Sequence, residues 1–336
     1  MSTALDPVAD GPIGLIVAKP ILVGYDPVTT DHAPVAFGLS MSRISGAPLI
    51  VVLVQAGTPF MPVSAGTPGV AGLVRQADSD LVADCSDALE ALSTELADIP
   101  GVECRKAQAL TAAGALHEAA EAEDAGLLVV GSRRRGQRGR VVTGSTAARL
   151  LRGAPCPVAV VPRGWTARGA MATIGVACTD SPEARAALRG AHALARAAGA
   201  TLRVLTVVER GPALYAATEP RTAERPGKDV TAVEGEARVQ AEEALRAAVA
   251  ELGHDVPIQI DAFVGDPADT LIDLSQHLDV LVCGSRGYGA LRAVVLGSVT
   301  RRVARESRCP VIVLPRGVEA PLEELVAEPA GATVPS

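Results

Sequence analysis

Residues 284–298 read GSRGYGALRAVVLGS and follow the apolar run Val280-Leu281-Val282-Cys283. A short β-branched run that breaks into glycines and then into a helix-like stretch is where an open α/β sheet offers backbone N–H groups to an anion. Glycine spacing decides which phosphate loop this is, because each type places glycine where the backbone must turn or approach the ligand. A P-loop needs Gly-Lys-Ser/Thr, and the only Gly-Lys pair, Gly227-Lys228, is followed by Asp229. A dinucleotide fingerprint built on Gly287 and Gly289 needs a third glycine where Arg292 stands. What remains is Gly284, two residues, Gly287, nine residues, then Gly297-Ser298.

The same stretch occurs earlier in the chain. Asp26 and Thr179, Gly131 and Gly284, Gly144 and Gly297, and Cys156 and Cys309 are all separated by one offset of 153 residues. Two halves that align without net insertion indicate an internal duplication of one domain. In the second half the pattern predicts strands over Ile174–Cys178, Leu202–Val208, Ile258–Val264, Val280–Cys283 and Cys309–Leu314. Helices begin at Ser181-Pro182-Glu183, where serine caps and proline takes the first helical position, and at Gly265-Asp266-Pro267. Others cover Val233–Leu252 and Ser298–Ser307, and the breaker-rich connection Gly211–Gly227 is irregular. Strands alternating with helices imply right-handed crossovers and a mainly parallel sheet covered on both faces. The expected architecture is α/β, with two doubly wound domains of five strands each. The divisions are an N-terminal tail 1–17, a first domain 18–163, a linker 164–171, a second domain 172–316 and a disordered tail 317–336, which is acidic and rich in Ala and Pro. The terminal strands Pro157–Val161 and Pro310–Leu314 are apolar and β-branched, so they are expected to lie together and relate the domains as a pseudo-two-fold pair.

Composition narrows the partners. Of 336 residues, 48% are apolar and only 2% aromatic, so aliphatic side chains fill the cores and stacking platforms for single-stranded nucleic acid are excluded. A formal net charge of −7 argues against a general nucleic-acid binder. The six cysteines include no CxxC pair and no Cys/His cluster at zinc spacing, which points to buried thiols in a reducing compartment. With no apolar run of membrane-spanning length and no signal core in Met1–Asp10, a cytoplasmic location without membrane association is expected. The five histidines are not paired at ligand spacing, no metal site is expected, and no Gly-x-Ser-x-Gly elbow exists.

Taken together, a first strand ending in Asp or its replacement, the Gly-x-x-Gly-(nine residues)-Gly-Ser/Thr loop, and the final Cys156-Pro157-Val158 and Cys309-Pro310-Val311 strands resemble the universal stress protein family in its tandem form. The resemblance covers residues 18 to 316. It implies an adenine nucleotide alpha hydrolase-like fold, pairing through the last strand, ATP held by the glycine loop in one branch, a role in stress survival, and mostly no defined catalysis. Carried over by position, the nucleotide would meet Ala177, Cys178, Thr179, Val207, Cys283, Gly284, Arg286, Gly287, Gly297, Ser298 and Val299. The twin set is Asp26, Gly131, Gly144 and Ser145. Magnesium would enter through the phosphates.

Each half departs from the pattern. In the second, Thr179 replaces the aspartate, with Asp180 next to it. In the first, Arg134 stands where the second glycine belongs and Ala112 where the second half has Gly265. If position 134 requires positive φ, a non-glycine residue costs about 1–2 kcal/mol there, so the first site reads as degraded. Arg133, Arg134, Arg135, Arg138 and Arg140 form either a basic loop for another anion or acidic partner, or a solvated turn. Tyr25 reads as edge packing or as a base-stacking ring. Three functions stay open: regulation through ATP occupancy and a protein partner, weak ATP hydrolysis or self-phosphorylation at Ser298, and a nucleotide-free scaffold. Self-association is open too.

Overall fold

The structure is a computed structural model describing residues 18–27, 29, 31–56, 86–132, 144–179, 181–210, 229–285, 296–315 and 322–326. The first half contains β1 (Ile21–Tyr25), α1 (Ala33–Ser45), β2 (Leu49–Ala56), α2 (86–96), β3 (Val102–Ala109), α3 (Ala112–Ala122), β4 (Leu127–Gly131), α4 (Ser145–Gly153) and β5 (Val158–Val161). The second half repeats the order as β6 (Thr173–Ala177), α5 (Pro182–Ala198), β7 (Thr201–Glu209), α6 (Val230–Ala250), β8 (Ile258–Gly265), α7 (Pro267–Leu274), β9 (Val280–Gly284), α8 (Ser298–Glu306) and β10 (Val311–Leu314). Short 3-10 turns cover Ser275–His277 and Leu322–Leu325.

Local chemistry sets these boundaries. Ser181 Oγ accepts from Ala184 N at 3.1 Å, Pro182 pre-sets the first turn, and Gly199 ends α5 at φ 63°. Asp266 does the same for α7, accepting from Asp269 N at 2.8 Å.

All ten strands join one sheet in the order β3-β2-β1-β4-β5-β10-β9-β6-β7-β8. Every pairing is parallel except β5 with β10, which is antiparallel. The register there sets Val160 opposite Val311, Ala159 opposite Ile312 and Val158 opposite Val313. Under the repeat offset Val158 corresponds to Val311, Ala159 to Ile312 and Val160 to Val313, so Ala159 meets its own counterpart and Val158 and Val160 meet each other's, as two-fold pairing requires. Asymmetry falls at the centre, where alanine faces isoleucine.

Helices cover both faces, so β5 and β10 are buried along their whole length. One apolar layer packs under α1, α2, α5 and α6, and the other under α3, α4, α7 and α8. Each layer runs through both halves without a break.

Within the stretch 317–336, expected to be a disordered tail, residues 322–326 are instead folded against the core. Leu322 and Leu325 are fully buried in the first layer. Leu322 lies against Gly190 of α5, where an added Cβ would come within 2.7 Å of it, and Leu325 lies against Gly126 ahead of β4. Glu324 pairs with Lys19 at 2.9 Å and Glu323 with Arg189 at 3.2 Å. The segment thus follows the last strand of the second half and ends beside the start of β1.

Candidate functional site

In the second half the chain runs from β6 outward to β7 and β8 and then returns to the other side of β6 with β9. Ligands of open α/β sheets bind at that reversal, beyond the carboxyl ends of the strands. A cavity of about 190 Å³ opens there. Ala177, Cys178 and Thr179 line it from β6, Val207 from β7, Cys283 and Gly284 from β9, and Val299 from α8. Gly297 and Ser298 are the N-cap and first residue of α8, immediately before Val299. Arg286, Gly287 and Asp180 lie outside the described residues.

Other lining residues escape the sequence pattern. Ser181 and Ala184 come from α5, Leu205 and Glu209 from β7, Pro267 and Leu271 from α7, and Ser285 and Thr300 flank the loop. Alternation along β7 puts Leu205, Val207 and Glu209 on one face, a signal available from sequence once Val207 is placed. The α7 residues carry no such signal, since only the fold brings that helix over β7.

Gly284 has a reason beyond ligand approach. A Cβ there would lie 2.8 Å from the Glu183 carbonyl oxygen and 3.2 Å from Ala184 N, so glycine lets the end of β9 meet the first turn of α5. Thr300 then ties α8 to the same point, its Oγ1 donating to Gly284 O at 3.0 Å. The counterpart of Thr300 is Ala147, which has no such donor. Thr300→Val is expected to cost about 1 kcal/mol in chemical denaturation, the usual net worth of one bond.

Two polar features beside the cavity have no side-chain partner among the described residues. Gly297 offers no side-chain cap to α8, whereas Ser181 and Asp266 cap α5 and α7. Ser285 Oγ is buried and has no hydrogen-bond partner among the described residues, although its backbone N–H donates to Leu314 O at 3.0 Å. Its counterpart Ser132 is satisfied, accepting from Arg163 N at 2.9 Å.

Thiol chemistry is disfavoured. Burial pushes Cys283 up to about 12, pushes Cys156 to about 12 and raises Cys309 further, so these thiols stay protonated at neutral pH. Iodoacetamide at pH 8 is expected to leave Cys283 and Cys309 unlabelled in the native protein and to label both in urea. Peptide mass spectrometry checks it, and rapid native labelling would contradict the burial. Among the described residues no group of three or more His, Cys, Asp or Glu is placed to hold a metal, and no described helix is long and apolar enough to cross a membrane.

In the first half Asp26, Gly131, Gly144 and Ser145 occupy the matching places at the ends of β1 and β4 and the start of α4. Asp26 is exposed, its carbonyl accepting from Thr29 Oγ1 at 3.0 Å. Tyr25, the counterpart of Cys178, is buried edge-on to His32 at 5.6 Å between ring centroids and 68° between planes. Burial, then the charges of Glu95, Asp26 and Asp31, raise its phenol. The arginine-rich run with Arg134 lies outside the described residues.

The duplicated sheet, the crossover order and the strand-end cavity define a tandem α/β protein. The family model described as "Universal stress protein family" matches residues 18–162 and 171–315, and the chain belongs to that family, with two such domains in tandem. A universal stress protein of Mycobacterium tuberculosis is 32% identical over 194 residues, 56% of this chain and 62% of that protein. The match therefore spans less than two thirds of that relative's length. A second from the same species is 32% identical over 205 residues, covering 60% of this chain and 68% of the relative. One from Mycolicibacterium smegmatis is 28% identical over 325 residues, 88% of this chain and 96% of the relative. Among solved structures, a Pseudomonas aeruginosa protein described as a universal stress protein aligns over 94% of this chain and 99% of its own, with 19% identity and TM-score 0.62. A universal stress protein from Archaeoglobus fulgidus aligns over 89% and 99%, with 18% identity and TM-score 0.56. These two establish a shared fold.

Proposed function

We propose that each half is a doubly wound domain of the adenine nucleotide alpha hydrolase-like kind, and that the second half binds ATP to set the conformation or partner surface of a cytoplasmic stress-response regulator. The observation that carries the reading is the pairing of an α8 start without a side-chain cap with a Ser285 hydroxyl that has no partner among the described residues, both beside one cavity. Backbone N–H groups at a helix N-terminus, aided by the helix dipole, suit phosphate oxygens, and a buried hydroxyl without a partner costs free energy until a ligand supplies one. Leu205, Val207 and Leu271 give the same cavity an apolar side suited to a base. Magnesium would accompany the phosphates.

Regulation is favoured over turnover because the lining formed by the described residues holds one carboxylate, Glu209, and a Cys283 thiol that burial keeps protonated. The five described cysteines are all free, which suits a reducing compartment.

Calorimetry of the full chain with ATP is expected to give one nucleotide per chain, abolished by Gly287→Glu and retained in Gly144→Glu. Two nucleotides per chain would overturn the assignment to the second half, and none would leave the scaffold function. Labelled product from γ-labelled ATP that disappears with Gly287→Glu would make the protein an enzyme.

A further inference from the structure

We propose that the cavity between the interdomain linker and the start of β9 is a docking site for a short acidic, leucine-bearing segment of a partner protein. The internal two-fold supplies the precedent. Beyond β10 the chain lays Leu322 on Gly190 of α5 and Leu325 on Gly126 ahead of β4. Under the repeat offset Gly190 corresponds to Phe37 and Gly126 to Asp279. Beyond β5 the linker lays Trp165 on Phe37, with ring centroids 5.5 Å apart and 78° between planes, so Trp165 does at this crevice what Leu322 does at the related one. The mate of the place held by Leu325 is a cavity of about 340 Å³ with Asp279 in its lining. One of two related crevices is thus filled by the chain's own segment, and the other is not filled by any described residue.

The filled crevice shows what such a place takes: a leucine enters, and the carboxylate beside it, Glu324, pairs with Lys19 at 2.9 Å. The unfilled one has the same two kinds of wall. Trp165 and the buried Leu278 supply apolar surface, and Arg168 and Arg308 supply cations. No carboxylate of the described residues pairs with either guanidinium; Arg308 Nη1 donates to Gln276 Oε1 at 3.2 Å. Asp279 is the one carboxylate in the lining, and its Oδ2 already accepts from Ala172 N at 2.8 Å and Thr173 N at 2.9 Å. The lining therefore carries an excess of one positive charge in a chain whose net charge is −7. Guanidinium groups suit carboxylates because their planar forks match the two oxygens. The cations are not inherited from the ancestral copy: Lys19 is matched by Ala172, and Arg308 by Pro155. A cavity of this size takes a leucine and its flanking carboxylates, a single turn of chain and no more.

Trp165 is the only tryptophan of the chain, so its fluorescence reports on this cavity. The probe is a synthetic peptide of residues 320–327, Ala-Pro-Leu-Glu-Glu-Leu-Val-Ala, added to the full chain. A saturable change in Trp165 emission is expected, with the affinity about tenfold weaker in the Arg168→Ala, Arg308→Ala double variant, the worth of two partly exposed ion pairs. The same peptide with glutamine at both glutamates, or alanine at both leucines, is expected to bind about tenfold more weakly or worse. Matching thermal unfolding of native and variant proteins establishes that the variant is folded, and neither arginine lines the nucleotide cavity. No emission change up to about 1 mM peptide would overturn the proposal, as would equal affinity in the double variant, which would place the peptide elsewhere, for example at the Gly126 crevice. A full chain that sediments as a dimer and is dissociated by the peptide would put a second copy's segment in the cavity and overturn the assignment to a partner protein.

Discussion

Replacing Leu322 and Leu325 together with alanine is expected to lower the free energy of unfolding by about 4 kcal/mol. Each side chain is fully buried, and truncating a buried leucine to alanine costs about 2–5 kcal/mol through lost transfer free energy and the cavity left behind. Close neighbours share that cost, so the pair is set below the sum of two isolated truncations. The ion pairs Lys19–Glu324 and Arg189–Glu323 add little, being partly exposed. Urea denaturation of the full chain measures the effect, with Glu323→Gln and Glu324→Gln as mild controls. A double-alanine loss below about 1 kcal/mol would mean that the segment does not occupy the core in solution.

Gly284→Val is expected to destabilise the second half by about 3 kcal/mol and to remove nucleotide binding with it. The added side chain meets the carbonyl of Glu183 and the amide of Ala184, which are helix backbone and cannot rotate away. Relief requires β9 or α5 to shift, and both line the cavity. The mirror substitution Gly131→Val is expected to cost less, because its Cβ meets the Pro34 ring at 3.0 Å rather than backbone. Equal unfolding midpoints for the two variants would refute the difference.

Much of this architecture is legible in the sequence because it is written twice. The offset between Gly131 and Gly284, the Ser181-Pro182 start and the Asp266-Pro267 start place strands and helices within a few residues of their observed ends. The β5–β10 seam follows from two terminal strands of similar apolar, branched composition. The folding of residues 322–326 was hidden by acidic, alanine- and proline-rich surroundings: Leu322 and Leu325 gain meaning only from a surface left open by Gly190 and Gly126. At the site, Ala177, Cys178, Thr179, Val207, Cys283, Gly284 and Val299 follow from motif position. Pro267, Leu271 and Ala184 do not, since they reach the cavity from helices whose approach is a tertiary fact. Gly284 shows another limit, because its spacing suggests a ligand while its surroundings add a packing requirement.

The seam between β5 and β10 has an evolutionary meaning. Two copies on separate chains would have to carry identical strand-end residues and would come apart on dilution. Joined by a covalent linker, the copies meet at a high effective concentration whatever the protein level. Their sequences are then free to diverge under one shared architecture. Ala159 against Ile312 at the seam's centre, and, at equivalent positions of the two halves, Tyr25 for Cys178 and Ala56 for Glu209, are such divergences. A single gene can thereby let two copies of one fold take on different residues while they stay joined in one sheet.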